Sequence, residues 1–301
     1  MKFLLLSLPG RLKAVAVLAG LALLLTGCSS TKLAYQYADW GIVWWVDDYI
    51  PMTDQQEAQL ERDVRNIRDW HCSTQLPRYS DWLTELKQDV RSGDLDQATV
   101  AHHQEQLFSF FPPLMDRAKP AATRLLSSLS DEQVKALADN MAESQAELEE
   151  EFLAENPEQT RQARAERTRE RVERWLGELN EQQVETVQQW SDARGKQTEI
   201  WLEGRRNWQT ALLDALEQRN QDDFGEKVDY LIDNNDVVRG PRYQAMMAES
   251  REAMASLMTS LLQEADPDQL DFLLERASSL RGDFNTLACT GESTAGQVSQ
   301  Y

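Results

Sequence analysis

Four short stretches of this chain repeat one arrangement, and it is one that marks the start of a helix. Met52-Thr53-Asp-Gln-Gln56, Leu129-Ser130-Asp-Glu-Gln133, Leu179-Asn180-Glu-Gln-Gln183 and Ala265-Asp266-Pro-Asp-Gln269 each set a short polar side chain three residues before a Gln. This is the capping box: the short side chain takes up a free N–H in the first turn, and the Gln reaches back to the cap. Apolar residues follow at helical spacing, at Val134 and Leu137, Val184 and Val187, and Leu270 and Leu273. The last three boxes stand just after Leu125-Leu126, Trp175-Leu176 and Leu261-Leu262, which close the preceding helices. Each of these three reads as an antiparallel αα-hairpin. Pro267, at the first helical position, strengthens the last of them.

Gly and Pro are sparse, 13 and 9 residues, and no run alternates as a strand would. The chain is therefore expected to be all-α, a multi-helix bundle built from antiparallel helical hairpins. Helices are predicted over 54–71, 77–91, 94–110, 114–127, 131–155, 158–177, 181–219, 222–233, 242–264 and 267–281, punctuated by Gly93, Pro112-Pro113, Asn156-Pro157 and Gly240-Pro241. The helical body spans 33–281 as one large domain, with a division near 156 left open. From Gly282 the chain reads as a flexible tail, 282–301, unless Cys289 pins it.

The first helix, Leu33 to Ile50, is stopped by Pro51 and holds three of the nine tryptophans. Tyr37, Trp40 and Trp44 share one face, while Ala38, Ile42, Trp45 and Tyr49 fall on another. A helix apolar nearly all round is expected in the core. The alternative is a place at a membrane interface, where Trp and Tyr are enriched. Asp39, Asp47 and Asp48 would be costly deep in lipid, which favours the core.

Ahead of that helix, Lys2, Arg11 and Lys13 precede an uncharged apolar run from Ala14 to Leu25. Its length and flanks are those of a secretory signal, too short for a membrane-spanning helix. It ends in Leu24-Leu25-Thr26-Gly27-Cys28-Ser29, which resembles the bacterial lipobox. The resemblance implies cleavage after residue 27, lipidation of Cys28, and a short tether over 28–32. Ser29 stands where an Asp would resemble an inner-membrane retention signal, so the outer membrane, on its periplasmic face, is the expected location.

Cleavage would remove three of the 31 basic residues and none of the 51 acidic ones, so 28 less 51 leaves a formal charge of −23. Such a surface repels phosphate backbones, so nucleic acid is not an expected partner. Apart from Cys28 there are two cysteines, Cys72 and Cys289. In an oxidising compartment an even pair reads first as a disulfide, and a single pair has only one connectivity.

No arrangement of side chains points to catalysis, a cofactor or a metal site. His102-His103 are adjacent and so point about 100° apart on a helix, and no second His/Cys cluster completes a tetrahedral site. His71 beside Cys72 could activate a thiolate, but the second cysteine makes a disulfide the better reading. Nucleophile elbows and Gly-rich phosphate loops are missing from the sequence. Glu149-Glu150-Glu151 reads as a solvated face. Asp233-Asn234-Asn235-Asp236 lacks the glycine and the terminal Glu of a calcium loop. Arg161, Arg164, Arg167, Arg169, Arg171 and Arg174 interleave with Glu158, Glu166, Glu170 and Glu173 at ion-pair spacing, the pattern of a salt-bridged, solvent-facing helix.

Two resemblances bear on function. Tyr35-Gln-Tyr-Ala-Asp-Trp-Gly-Ile-Val-Trp-Trp-Val-Asp-Asp-Tyr-Ile-Pro51 after the lipobox, then Trp70-His71-Cys72 and Leu76-Pro77-Arg78-Tyr79, resemble an uncharacterised family of Gram-negative lipoproteins, domain of unknown function number 6279. That resemblance implies an envelope location and no activity. The boxes are also similar to the Leu-Thr-x-x-Gln motif of periplasmic chaperones of the Spy/CpxP kind, although only Met52-Thr53 keeps the threonine. The expected function is thus a non-enzymatic lipoprotein held to the membrane by its lipid anchor and binding another envelope protein. A tethered chaperone is the alternative, with Met246, Met247, Met254 and Met258 as its candidate client surface. An enzyme built on scattered carboxylates is the third reading.

Overall fold

The computed structural model describes residues 30–153 and 156–289. Among them every regular element is a helix. The elements are α1 (Ser30–Gln36), α2 (Ala38–Asp47), α3 (Asp54–Ser92), α4 (Gln97–Phe108), α5 (Phe111–Ser127), α6 (Asp131–Phe152), α7 (Pro157–Leu176), α8 (Glu181–Ala193), α9 (Gln197–Leu216), α10 (Phe224–Asp233), α11 (Asn235–Val238), α12 (Pro241–Gln263) and α13 (Pro267–Leu287). The chain divides into a short unit ending at Ala38 and a second unit from Asp39 onward. The junction near residue 156 is a helix boundary inside that second unit.

All four capping boxes form, on α3, α6, α8 and α13. Their glutamines also pair with one another. Gln56 and Gln133 exchange side-chain amide hydrogen bonds, at 3.2 and 2.7 Å. Gln183 and Gln269 do the same, at 3.0 and 2.9 Å. Each amide reaches further, to a backbone carbonyl beside its partner's box: Gln56 to Ser128, Gln133 to Pro51, Gln183 to Leu261 and Gln269 to Glu178. The start of α3 is thus locked to the start of α6, and that of α8 to that of α13.

This pairing reshapes the expected hairpins. Across the turn at 177–180, α7 and α8 pack on each other. The helices beside the other two turns pack chiefly elsewhere: α5 on α3 and α10, α6 on α9, α12 on α4, α8 and α9, and α13 on α3 and α7.

Each locked pair stands over its own core. One core gathers Ile50, Leu129, Leu137, Met141, Leu212, Leu216, Phe224, Val228 and Leu231. The other gathers Val90, Val172, Leu176, Leu179, Val187, Leu257, Leu261 and Leu273.

Several boundaries differ from expectation. The predicted helices 54–71 and 77–91 are one helix of 39 residues, which runs through Pro77. A proline there loses one backbone bond, a cost of about 3 kcal/mol. Burial of Cys72, Leu76 and Leu83, each at most 1 % exposed, together with packing along α13, offsets it. The predicted helix 181–219 is instead broken between α8 and α9, where Gly195 takes a φ of +47°. The last helix passes through Gly282 to Leu287, so the first residues of the expected tail are helical. Close packing of α9 on α12 needs Gly204, because a Cβ there would sit 2.7 Å from the Tyr243 ring.

Candidate functional site

Cys28, its lipobox and residues 290–301 lie outside the described residues. Cys72 and Cys289 are bonded, with their Cα atoms 5.1 Å apart across 217 residues. Cys72 is buried in the middle of α3, and Cys289 donates its backbone N–H to the Cys72 carbonyl at 3.2 Å. The bond therefore fastens the end of α13 to the middle of the longest helix. His71, next to it, meets the Tyr79 hydroxyl at 3.2 Å and is half-buried, and that burial lowers its pKa below the ordinary 6.5.

The tryptophan-rich helix is not in the core. Trp40, Trp44 and Trp45 are 67 %, 58 % and 59 % exposed, and Ile42 is 43 % exposed. Only Val43 of α2 is buried, against Leu60 and Val64 of α3. The charged residues decide which face turns inward. Asp39 pairs with Arg68 of α3 at 2.9 Å, and Asp47 accepts from the Met52 N–H at 3.1 Å. With both carboxylates held on protein groups, the aromatic arc is left outside.

A second apolar group appears where α4 meets α5. Leu107, Phe108, Phe111 and Met115 are all exposed, and the Arg251 guanidinium stands 5.4 Å over the Phe108 ring. Pro112-Pro113 stand in the first turn of α5, where a proline's fixed φ suits the helix and its missing N–H costs no bond. The Phe-Ser-Phe-Phe-Pro-Pro run was visible in the sequence only as a break, since four apolar side chains at a helix junction carry no sign of which way they face.

The polar candidates are mostly engaged. His103 is buried and meets Asp89 at 2.9 Å, while exposed His102 meets Glu85 at 3.2 Å. Arg164 is also buried, contrary to a solvent-facing strip, and donates to Ser191 O, Gly195 O and Thr198 Oγ1. Desolvation lowers its pKa. Arg161 pairs with Glu158, and Arg169 with Glu166 at 2.5 Å, as the spacing predicted. Arg167 stacks 4.5 Å over Phe152. Asp233 is taken by Lys119 and Glu149 by Arg206. Met246 is buried, Met247 is half-buried, and Met254 and Met258 pack against the second core.

Two open grooves of about 440 and 410 Å³ stand out. The first runs along the Gln56–Gln133 lock, and its buried carboxylate, Asp63, is held by both ends of the Arg124 guanidinium at 2.7 and 3.1 Å. The second lies between α9 and α10, where Asp223 is paired with Lys227. Among the described residues no group of three or more His, Cys, Asp or Glu side chains could hold a metal ion. No described helix is long and apolar enough to cross a membrane.

These features define an all-helical protein with pairwise-locked helix starts, one long-range disulfide and two outward-facing apolar groups. The chain belongs to a family of unknown function, DUF6279, whose model matches residues 48–244. Cys72 falls inside the matched segment, and Cys289 and the exposed Trp40, Trp44 and Trp45 fall outside it. No curated protein and no solved structure matches the chain.

Proposed function

We propose that the protein is a lipoprotein anchored to the periplasmic face of the outer membrane, non-enzymatic, and that its helical body binds another envelope protein. A disulfide suited to an oxidising compartment, together with the lipobox ahead of the body, supports the location. The observation that carries the binding role is the apolar corner at Leu107, Phe108, Phe111 and Met115. Large apolar side chains exposed together mark partner sites on soluble surfaces. Arg251 at the edge gives that corner the polar rim such sites have. The acidic surface favours a partner with a basic rim of its own.

A photocrosslinking residue in place of Phe111, used in living cells and read by mass spectrometry, tests this. Exposed Lys135, on α6, serves as the control site. One or two dominant adducts from 111, absent from 135, are expected. A smear of many unfolded envelope proteins would instead favour the tethered chaperone, and no protein adduct at either site would sink both readings.

A further inference from the structure

We propose that the outer face of α2 inserts into the interfacial layer of a lipid bilayer, so that the protein is held by the helix as well as by its anchor. The proposal rests on the reading of Cys28 as a lipidated residue. At 100° per residue, Trp40, Gly41, Ile42, Trp44 and Trp45 sweep an arc of about 200° opposite buried Val43. No charged residue falls within that arc. Asp39 lies on the opposite side, paired with Arg68, and Asp47 borders the arc beside Trp40 and accepts from the Met52 N–H. Exposed Asp48 follows the last helical residue, one turn past Trp44, where its N–H meets the Trp44 carbonyl. Asp39 and Asp47 are thus held on protein groups, and Asp48 marks the C-terminal limit of the inserting face.

Side-chain chemistry selects a lipid interface over an aqueous cleft. Trp40 and Trp44 stack along the helix with ring centroids 6.4 Å apart and planes 13° from parallel, while Trp45 leans on Tyr49 at 5.4 Å. Indole rings with an apolar body and one N–H prefer the headgroup boundary. Reach agrees with this. Trp40 follows Cys28 by twelve residues, which span at most about 40 Å when extended, so the face cannot stray far from an anchored bilayer. With no cation on the face and an acidic body behind it, binding is driven by apolar burial and not by anionic headgroups.

The test uses the full mature chain purified from membranes, with its acylation read by intact mass. It is reconstituted in phosphatidylethanolamine–phosphatidylglycerol vesicles carrying bromine on the acyl chains, which quench nearby tryptophan. Three of the nine tryptophans lie on the face, so quenching of roughly a third of the emission is expected. It is expected to fall several-fold in Trp40→Phe/Trp44→Phe/Trp45→Phe, whose helicity is checked by circular dichroism. Raising the phosphatidylglycerol share is expected to leave quenching unchanged or lower; a rise would overturn the apolar mode. Equal quenching of an acylated wild type and the triple variant would overturn the insertion while leaving the anchor standing. If the chain carries no lipid, the anchor reading fails by itself, and co-sedimentation with the same vesicles then decides the helix. Binding lost in Trp40→Ser/Trp44→Ser/Trp45→Ser would sustain the insertion, and binding kept by that variant, or no binding by the wild type, would overturn it.

Discussion

Gln183 has no exposed surface and uses its whole amide: its oxygen accepts from the Asn180 N–H and from Gln269, and its nitrogen donates to Gln269 and to the Leu261 carbonyl. Replacing it leaves buried donors and acceptors unmatched, so Gln183→Ala is expected to cost about 2–3 kcal/mol. A double-mutant cycle with Gln269→Ala, read by urea unfolding, is expected to give a coupling of about 1–2 kcal/mol. The Gln56–Gln133 cycle is expected to give less, because Gln56 is partly solvated. The capping role of these glutamines was legible from a three-residue spacing, but their pairing was not. It depends on two boxes more than seventy residues apart meeting, which no local pattern encodes. His71 makes a second residue-scale case. With its folded pKa below 6.5, the unfolded chain binds more protons as pH falls through that value. Its contribution is therefore complete above pH 6.5 and drains away below it. The stability lost between about pH 7.5 and about pH 5.5 is expected to be smaller in His71→Gln than in the wild type, measured by urea unfolding.

At the scale of elements, the disulfide does what neither of its helices can do alone, joining the middle of α3 to the end of α13. Closing a loop of 217 residues restricts the unfolded chain by up to about 5 kcal/mol in the chain-entropy model. Cys72→Ser, Cys289→Ser and the double variant are expected to lose the same amount of stability, several kcal/mol, in non-reducing urea titrations. A loss below about 1 kcal/mol would show that α3 and α13 hold together by packing alone. The pair was legible by elimination, since only two cysteines remain after Cys28. Helix ends were legible where a capping box or Gly93 sets them, and misread where tertiary contact overrides a breaker, as at Pro77, and where Gly195 breaks the run predicted over 181–219. The aromatic helix was misread for a different reason. Its apolar residues circle the axis, so hydrophobicity could not choose a face, and the choice fell to two ion-pair and capping contacts made by Asp39 and Asp47.

At the scale of the whole molecule, the body has two large cores, each beside a glutamine lock, and presents the tryptophans of α2 and its α4–α5 corner outward. Membership of a family of unknown function leaves its role to the chemistry of those surfaces and to the compartment in which they work. The proposed partner binding at that corner and the proposed insertion of α2 into lipid both presuppose an envelope protein processed at Cys28. Intact mass spectrometry of the chain isolated from outer-membrane fractions, without reductant, tests that most directly. The expected mass is that of residues 28–301 plus an acylated glyceryl group on Cys28, less two hydrogens for the Cys72–Cys289 bond. A chain that keeps residues 1–27, or that ends at an unmodified Cys28, would contradict the account.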